Sequence, residues 1–391
     1  TSAQTERFVW TNSPDPAPPF TNWDSAARTL QAAVEACEDG DTVWATNGLY
    51  DIGGRPAPGL VLTNRVMATN RIVIRSVNGP LATTIRGQGP FGLAAVRCAY
   101  LTNGAVLSGF RLENGRTADC FDLAPVLDKN GGGALAFAGC VLTNCHVVSN
   151  QAILGAGGAY GIQATVVDCR FTHNVSSDGG GVFLDGGTLL DCDLHDNVAA
   201  PGCGFGNGGG AQVGNGQVRN CTFATNTANQ GGGLACFPSG TGTSQIFACS
   251  IRGNSAGDGG GLFVLPGAAC RLSASGTNVC DIRGNAATNS GGGLCTGTQA
   301  VLIASGRVFF AENRAVNGGG LAAGAGSHVF LAEADGSSPA IFGNSATNSG
   351  GGLFAAGAGT RLVLRDVRIG RNDTLIQGNT AFGNDTGSGG G

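Results

Sequence analysis

The sequence predicts an all-β solenoid, a stack of short-stranded coils, and three observations carry that expectation. The tripeptide Gly-Gly-Gly occurs nine times, beginning at Gly131, Gly179, Gly208, Gly231, Gly259, Gly291, Gly318, Gly350 and Gly389, mostly 23 to 32 residues apart. An asparagine stands upstream of each. Ahead of those asparagines, apolar residues fall at alternate positions, the period of a strand rather than a helix. Self-similarity at this period marks a repeat architecture, in which each unit buries its apolar face only against its neighbours.

Alignment on the asparagine defines the unit. Six copies run from Cys to Asn: Cys145 to Asn150, Cys169 to Asn174, Cys192 to Asn197, Cys221 to Asn226, Cys249 to Asn254 and Cys280 to Asn285. Later copies, ending at Asn313, Asn344 and Asn379, lose the cysteine. Three residues before every Asn stands an apolar side chain, as at Val147, Phe171, Ile251 and Phe310. The positions five and three before the Asn share one strand face, which points inward; those six, four and two before it point outward. The glycine triplet then turns a corner into a second apolar strand, as in Leu262-Phe263-Val264. Coils ~4.8 Å apart, about a dozen of them, give a rod on the order of 60 Å long.

Residues 1–130 read as an N-terminal cap with the first irregular coils, and residues 131–391 as the regular repeats. A helix is expected over about 24–38, where Ala26, Leu30, Ala33, Val34 and Cys37 recur at helical spacing. Asp24 is placed to cap its start and Gly40 its end. Such a helix covers the unpaired edge of the first coil. Strands are expected at residues 41–44, 71–74 and 105–107. The chain stops in mid-repeat, at the last residue of a triplet, so the repeats are expected to continue beyond Gly391, and the start at Thr1 reads as a processed end.

Bulk composition narrows the class. There are 70 glycines but only 13 prolines and no Gly-X-Y period, so collagen is excluded. With 42% hydrophobic and 12% charged residues the chain has a core to bury. A net charge of −4 argues against nucleic acid as a partner. No apolar run reaches the ~20 residues of a membrane-spanning helix.

The repeated side chains have structural explanations. A buried turn needs hydrogen-bond partners, and stacked asparagine amides can supply them along the column; a ligand-binding ladder is the alternative. The six aligned cysteines lack zinc spacing. Their side chains run parallel, which suits buried free thiols better than bridges between coils. The other eight (Cys37, Cys98, Cys120, Cys140, Cys203, Cys236, Cys270, Cys295) follow no register, and their pairing stays open. Polar residues before the triplets, Asn130 and Asp258 among them, read as solvated turn residues, or as a calcium or glycan stripe. The triplets lack the Lys-Ser/Thr and the helix of a phosphate loop.

One patch could carry chemistry. Asp168 and Asp191 are expected to stack, with Arg170 between His146 and Asp193, and with His195 beside them. Alternating charges on an exposed strand face also stabilise a sheet without any ligand. Trp10, Trp23 and Trp44 are all N-terminal, so no aromatic platform is expected over the repeats.

The units resemble those of right-handed parallel β-helix proteins of the pectin-lyase-like superfamily. Gly132-Gly133-Ala134-Leu135 with Phe171-x-x-Asn174, Phe223-x-x-Asn226 and Phe310-x-x-Asn313 is most similar to the polymorphic outer-membrane proteins, which are autotransporter-type surface proteins. The resemblance covers residues 130 to 391. It implies a secreted or cell-surface protein, adhesin-like or passenger-like, serving extension, display or end-to-end self-association, with a polysaccharide or other cell-surface ligand as partner and no cofactor. The second reading is a polysaccharide lyase or glycoside hydrolase acting on acidic polysaccharide. In that reading the resemblance to polysaccharide lyases implies that Asp168 and Asp191 hold calcium against a uronate. Arg170, Asp193, His146 and His195 are then the candidates for proton abstraction and charge stabilisation.

Overall fold

The structure, a computed structural model, describes residues 4–374. The chain forms two compact units. The first runs to Asp193 and includes Gly202–Gly204; the second comprises Leu194–Pro201 and the residues from Phe205 onward.

In the first unit one coil contains strands Val141–Thr143, His146–Val148 and Ala159–Ile162. The next contains Thr165–Val167, Arg170–Thr172, Val175–Ser176 and Val182–Asp185. Each strand lies parallel to its counterpart, placing Leu142 opposite Val166, Val147 opposite Phe171 and Ala159 opposite Val182. The second unit repeats the plan: Ile251, Ile282, Phe310 and Ile341 stack in register, as do Leu234, Leu262, Leu294, Leu321 and Leu353. The fold is a parallel β-helix, nearly all β. The core of each unit is a column of like residues on like, with Phe171, Phe223 and Phe310 fully buried. Each such ring contributes about 2–3 kcal/mol by leaving water.

The asparagines form the expected ladder. Asn226, Asn254, Asn285 and Asn313 are at most 1% exposed. The backbone N–H and the Nδ2 of each donate to Oδ1 of the Asn in the next coil, at 2.9–3.0 Å. The same Nδ2 also donates to the carbonyl of the apolar residue in the preceding coil, Leu194, Phe223, Ile251 and Ile282 in turn. In the first unit Asn150 bonds Asn174 in the same way, and its own Oδ1 accepts from Gly115 N–H. Asn379 lies outside the described residues, and the rung beyond Asn344 is Asn372.

The three glycines of a triplet have three different reasons. The first has φ near +65°, as at Gly231, Gly259 and Gly291. A Cβ on the second would strike carbonyls of the next coil, and one on the third would meet the ladder asparagine. A degenerate copy, Gly155-Ala156-Gly157-Gly158, escapes a search for triplets, and Ala156 takes the left-handed turn there at φ 54°.

Several expectations need correction. Residues six before the asparagine are not outward strand positions. Asn144, Asp168, Asp191 and Asn220 are left-handed corner residues with φ of 48–52°, a conformation that Asn and Asp tolerate best after glycine. The residue before the triplet is not a uniformly solvated stripe, because Asn130 and Asn207 are buried. Asn130 Oδ1 accepts from Gly155 N–H and Asp258 Oδ1 from Ser290 N–H.

The N-terminal helix spans only Leu30–Glu35. Thr29, not Asp24, caps it by accepting from Ala32 N–H, and it ends at Ala36 rather than near Gly40. Residues ahead of it are drawn into strand-like pairing, Ala27 bridging Val9. Leu30, Ala33 and Val34 are buried, and the Gln31 amide both accepts from Met67 N–H and donates to Met67 O, pairing the strand Thr63–Ala68. The three expected strands appear at Thr42–Ala45, Val73–Ser76 and Val106–Ser108. Arg55–Pro56 pairs antiparallel to Thr63–Asn64, unlike the coils.

Twelve cysteines are buried thiols outside any disulfide, including all six aligned ones. Cys145, Cys169, Cys192, Cys221 and Cys249 each donate to the carbonyl two residues earlier in their own coil, at 3.1–3.4 Å. Cys120 and Cys203 form a disulfide within the first unit.

Candidate functional site

His146, Arg170 and Asp193 lie on the outward side of the second strand of successive coils in the first unit, whereas His195 belongs to the second unit. Parallel register sets Arg111 beside His146 and His146 beside Arg170. Asp193 N–H bonds Cys169 O, as Arg170 N–H bonds Cys145 O, so Asp193 takes the corresponding place in its coil. The expected order His146, Arg170, Asp193 is therefore present. Burial, with Arg170 and Arg111 on either side, lowers the pKa of His146 below the usual histidine value. A neutral imidazole between two guanidiniums can accept a proton, but like charges oppose its keeping one.

Asp168 and Asp191 occupy the corner between the first and second strands of their coils, and Asp168 N–H donates to Leu190 O. The coil geometry alone accounts for an Asp at each corner. His195 sits on the strand Asp193–His195, half-buried, its Nδ1 2.9 Å from Asp196 Oδ2. Asp196 Oδ1 in turn accepts from the Thr225 hydroxyl. Among the described residues no three His, Cys, Asp or Glu side chains converge as a metal-ligand set.

Sequence reasoning missed two participants. Glu113 is held by Arg86 at 2.7 Å and by Arg111 at 2.6 Å. Burial alone raises the Glu113 pKa; the bonds and charges of Arg111 and Arg86 outweigh it and hold the carboxyl below its ordinary range. The coil carrying Glu113 has Gly115 where the others have the ladder asparagine. Alignment on Asn therefore could not place Arg111 beside His146. A second omission is an aromatic pair on the strand after the glycine turn. The Tyr160 and Phe183 rings stack 4.7 Å apart and 3° from parallel. Both belong to adjacent coils of one unit, a position that reads as apolar filler in either repeat alone.

The second unit carries a shallow groove of about 280 Å³ lined by His328, Val329, Phe330, Arg361, Val363 and Arg365. There the Arg365 guanidinium stands 5.4 Å from the Phe330 ring, a cation–π contact.

No protein-family model and no curated protein matches the chain. Among solved structures, pectate lyase Pel9A is similar with a TM-score of 0.45 and 10% identity, over 93% of this chain and 79% of that one. A rhamnogalacturonan lyase gives 0.42 and 12%, over 95% and 90%. The Azotobacter vinelandii mannuronan C-5 epimerase AlgE6 A-module gives 0.42 and 14%, over 87% and 93%.

Proposed function

We propose that this chain is a structural β-helix of the cell surface or extracellular space, a stalk or display scaffold rather than a catalyst. The observation that carries this reading is the asparagine ladder. From Asn226 to Asn344 each amide is satisfied by its own stack in one bonding scheme, to which Asn344 adds a bond to Phe342 O. Repetition of a self-satisfied unit yields rigidity and length, and leaves the chain's most regular polar groups with no bonds to spare for a ligand. The Cys120–Cys203 disulfide supports an oxidising compartment. The likeness of the repeats to autotransporter-type surface proteins supports the same address. Its partners are then a cell-surface polysaccharide or a further copy stacked end to end. Negative-stain microscopy of the purified chain tests self-association: filaments support it, and short monodisperse particles at high concentration remove it.

The second reading, a lyase acting on acidic polysaccharide, is favoured by one feature, the neutral His146 flanked by Arg111 and Arg170. Asp168 and Asp191 offer the hard oxygen donors calcium takes, although a shell of six to eight oxygens needs more than two carboxylates. Incubation with pectate and alginate in calcium, followed by ultraviolet absorbance of unsaturated product, separates the two. We expect no product. Product formation that is lost in Arg170→Ala and in Asp191→Ala overturns the scaffold reading.

A further inference from the structure

Cys236 and Cys270 stand apart from the other buried thiols. Their sulfurs lie 3.3 Å apart, buried in the second unit. Most of the aligned cysteines stand at the corner just before the second strand of successive coils, and the thiols of Cys145, Cys169, Cys192, Cys221 and Cys249 donate to carbonyls of their own coils. These two belong to different stacks. Cys236 ends the strand Leu234–Cys236 after a glycine triplet, and Cys270 lies on Ala269–Ala274, the first strand of the coil after next, with the coil from Ser244–Phe247 to Leu262–Val264 between them in the chain. Cys236 has Val213 and Val264 as its register neighbours, and Cys270 has Ser244 and Leu302. The two side chains thus converge across a corner of the coil rather than run side by side, and the parallel-vector objection to a bridge does not apply to them. Moving the sulfurs about 1.3 Å closer reaches a normal disulfide bond length of ~2.05 Å.

We propose that Cys236 and Cys270 form a second intrachain disulfide, closing a corner of the second unit from inside the core. The bond forms by exchange with a small-molecule or protein disulfide. One thiolate attacks a donor sulfur, giving a mixed disulfide and releasing one donor thiol. The second thiolate displaces the other donor thiol, so the pair is oxidised, the donor is reduced, and both protons leave on the donor thiols. In the folded coil the bond with Cys236 and burial hold the Cys270 thiol far above its ordinary pKa. Exchange therefore belongs to folding, before the corner closes, and the finished core excludes reagent from an unpaired couple.

The test is to refold the denatured, reduced chain in oxidised and reduced glutathione. Denaturation in N-ethylmaleimide and a non-reducing digest then go to mass spectrometry. We expect a linked peptide pair carrying Cys236 and Cys270, separate from the pair carrying Cys120 and Cys203. In Cys236→Ser, Cys270 is expected to carry maleimide while the Cys120–Cys203 link persists, which reports on folding in the same digest. Maleimide on both Cys236 and Cys270 of the wild-type chain, or Cys270 linked to any other cysteine, overturns the proposal. The wild-type digest decides the matter even where the variant fails to fold.

Discussion

Asn254 shows how much one repeated residue carries. Its Oδ1 accepts from Asn226 N–H and Nδ2, and its Nδ2 donates to Phe223 O and to Asn285 Oδ1. Asn254→Ala strands several buried polar groups at once, and we expect a loss of about 3 kcal/mol or more in urea unfolding. The glycines differ among themselves in a testable way. Gly260→Ala puts a methyl against the Ala286 carbonyl and 2.6 Å from Gly292 O. Gly253, unlike Gly260, turns left-handed, at φ +62°, and a Cβ there would meet only Thr225 Cγ2, at 4.0 Å. We expect Gly253→Ala to cost about 1 kcal/mol from backbone strain and Gly260→Ala about 3 kcal/mol from overpacking. Equal costs in thermal unfolding of the two variants contradict this assignment of roles.

At the scale of the element, the N-terminal segment depends on Asp41. Its carboxylate accepts from Thr5 and Glu38 N–H and from Arg7 at 2.9 Å. Burial pushes its pKa upward, but the Glu38 and Thr5 bonds and Arg7 outweigh burial and hold it below the ordinary value. A depressed carboxyl stabilises above its unfolded pKa of ~3.9, and that stability is lost as pH falls through the folded value. Trp10, Trp23 and Trp44 all lie in this segment, so tryptophan fluorescence reports it selectively. We expect acid unfolding seen by fluorescence to begin at higher pH in Asp41→Asn than in the wild type. Coincident transitions contradict the role given to Asp41.

This segment also shows where the sequence stops being legible. The strands and the ladder could be read because their periods repeat and each copy corroborates the others. The helix occurs once. Its apolar spacing from Ala26 to Cys37 did not reveal that Ala27 bridges Val9 or that Thr29 supplies the cap. The candidate patch was half legible for a related reason. His146, Arg170 and Asp193 sit at a fixed offset from an asparagine. Arg111 and Glu113 belong to a coil whose ladder position is Gly115, and Arg86 enters through register alone. The corner role of Asp168 and Asp191 was hidden because a left-handed φ leaves no mark in a polarity pattern.

At the scale of the whole molecule, each unit is a stack whose coils lean on their neighbours, so stability is a sum of coil and interface contributions. Damage at one rung should then travel along the stack. Hydrogen exchange by mass spectrometry on the wild type and Asn254→Ala measures this directly. We expect the variant to lose protection in its own coil and also in the peptides around Phe223–Asn226 and Ile282–Asn285, the coils bonded to it on either side. Loss of protection confined to residues around position 254, with both neighbouring coils exchanging as in the wild type, contradicts a ladder that holds the scaffold together.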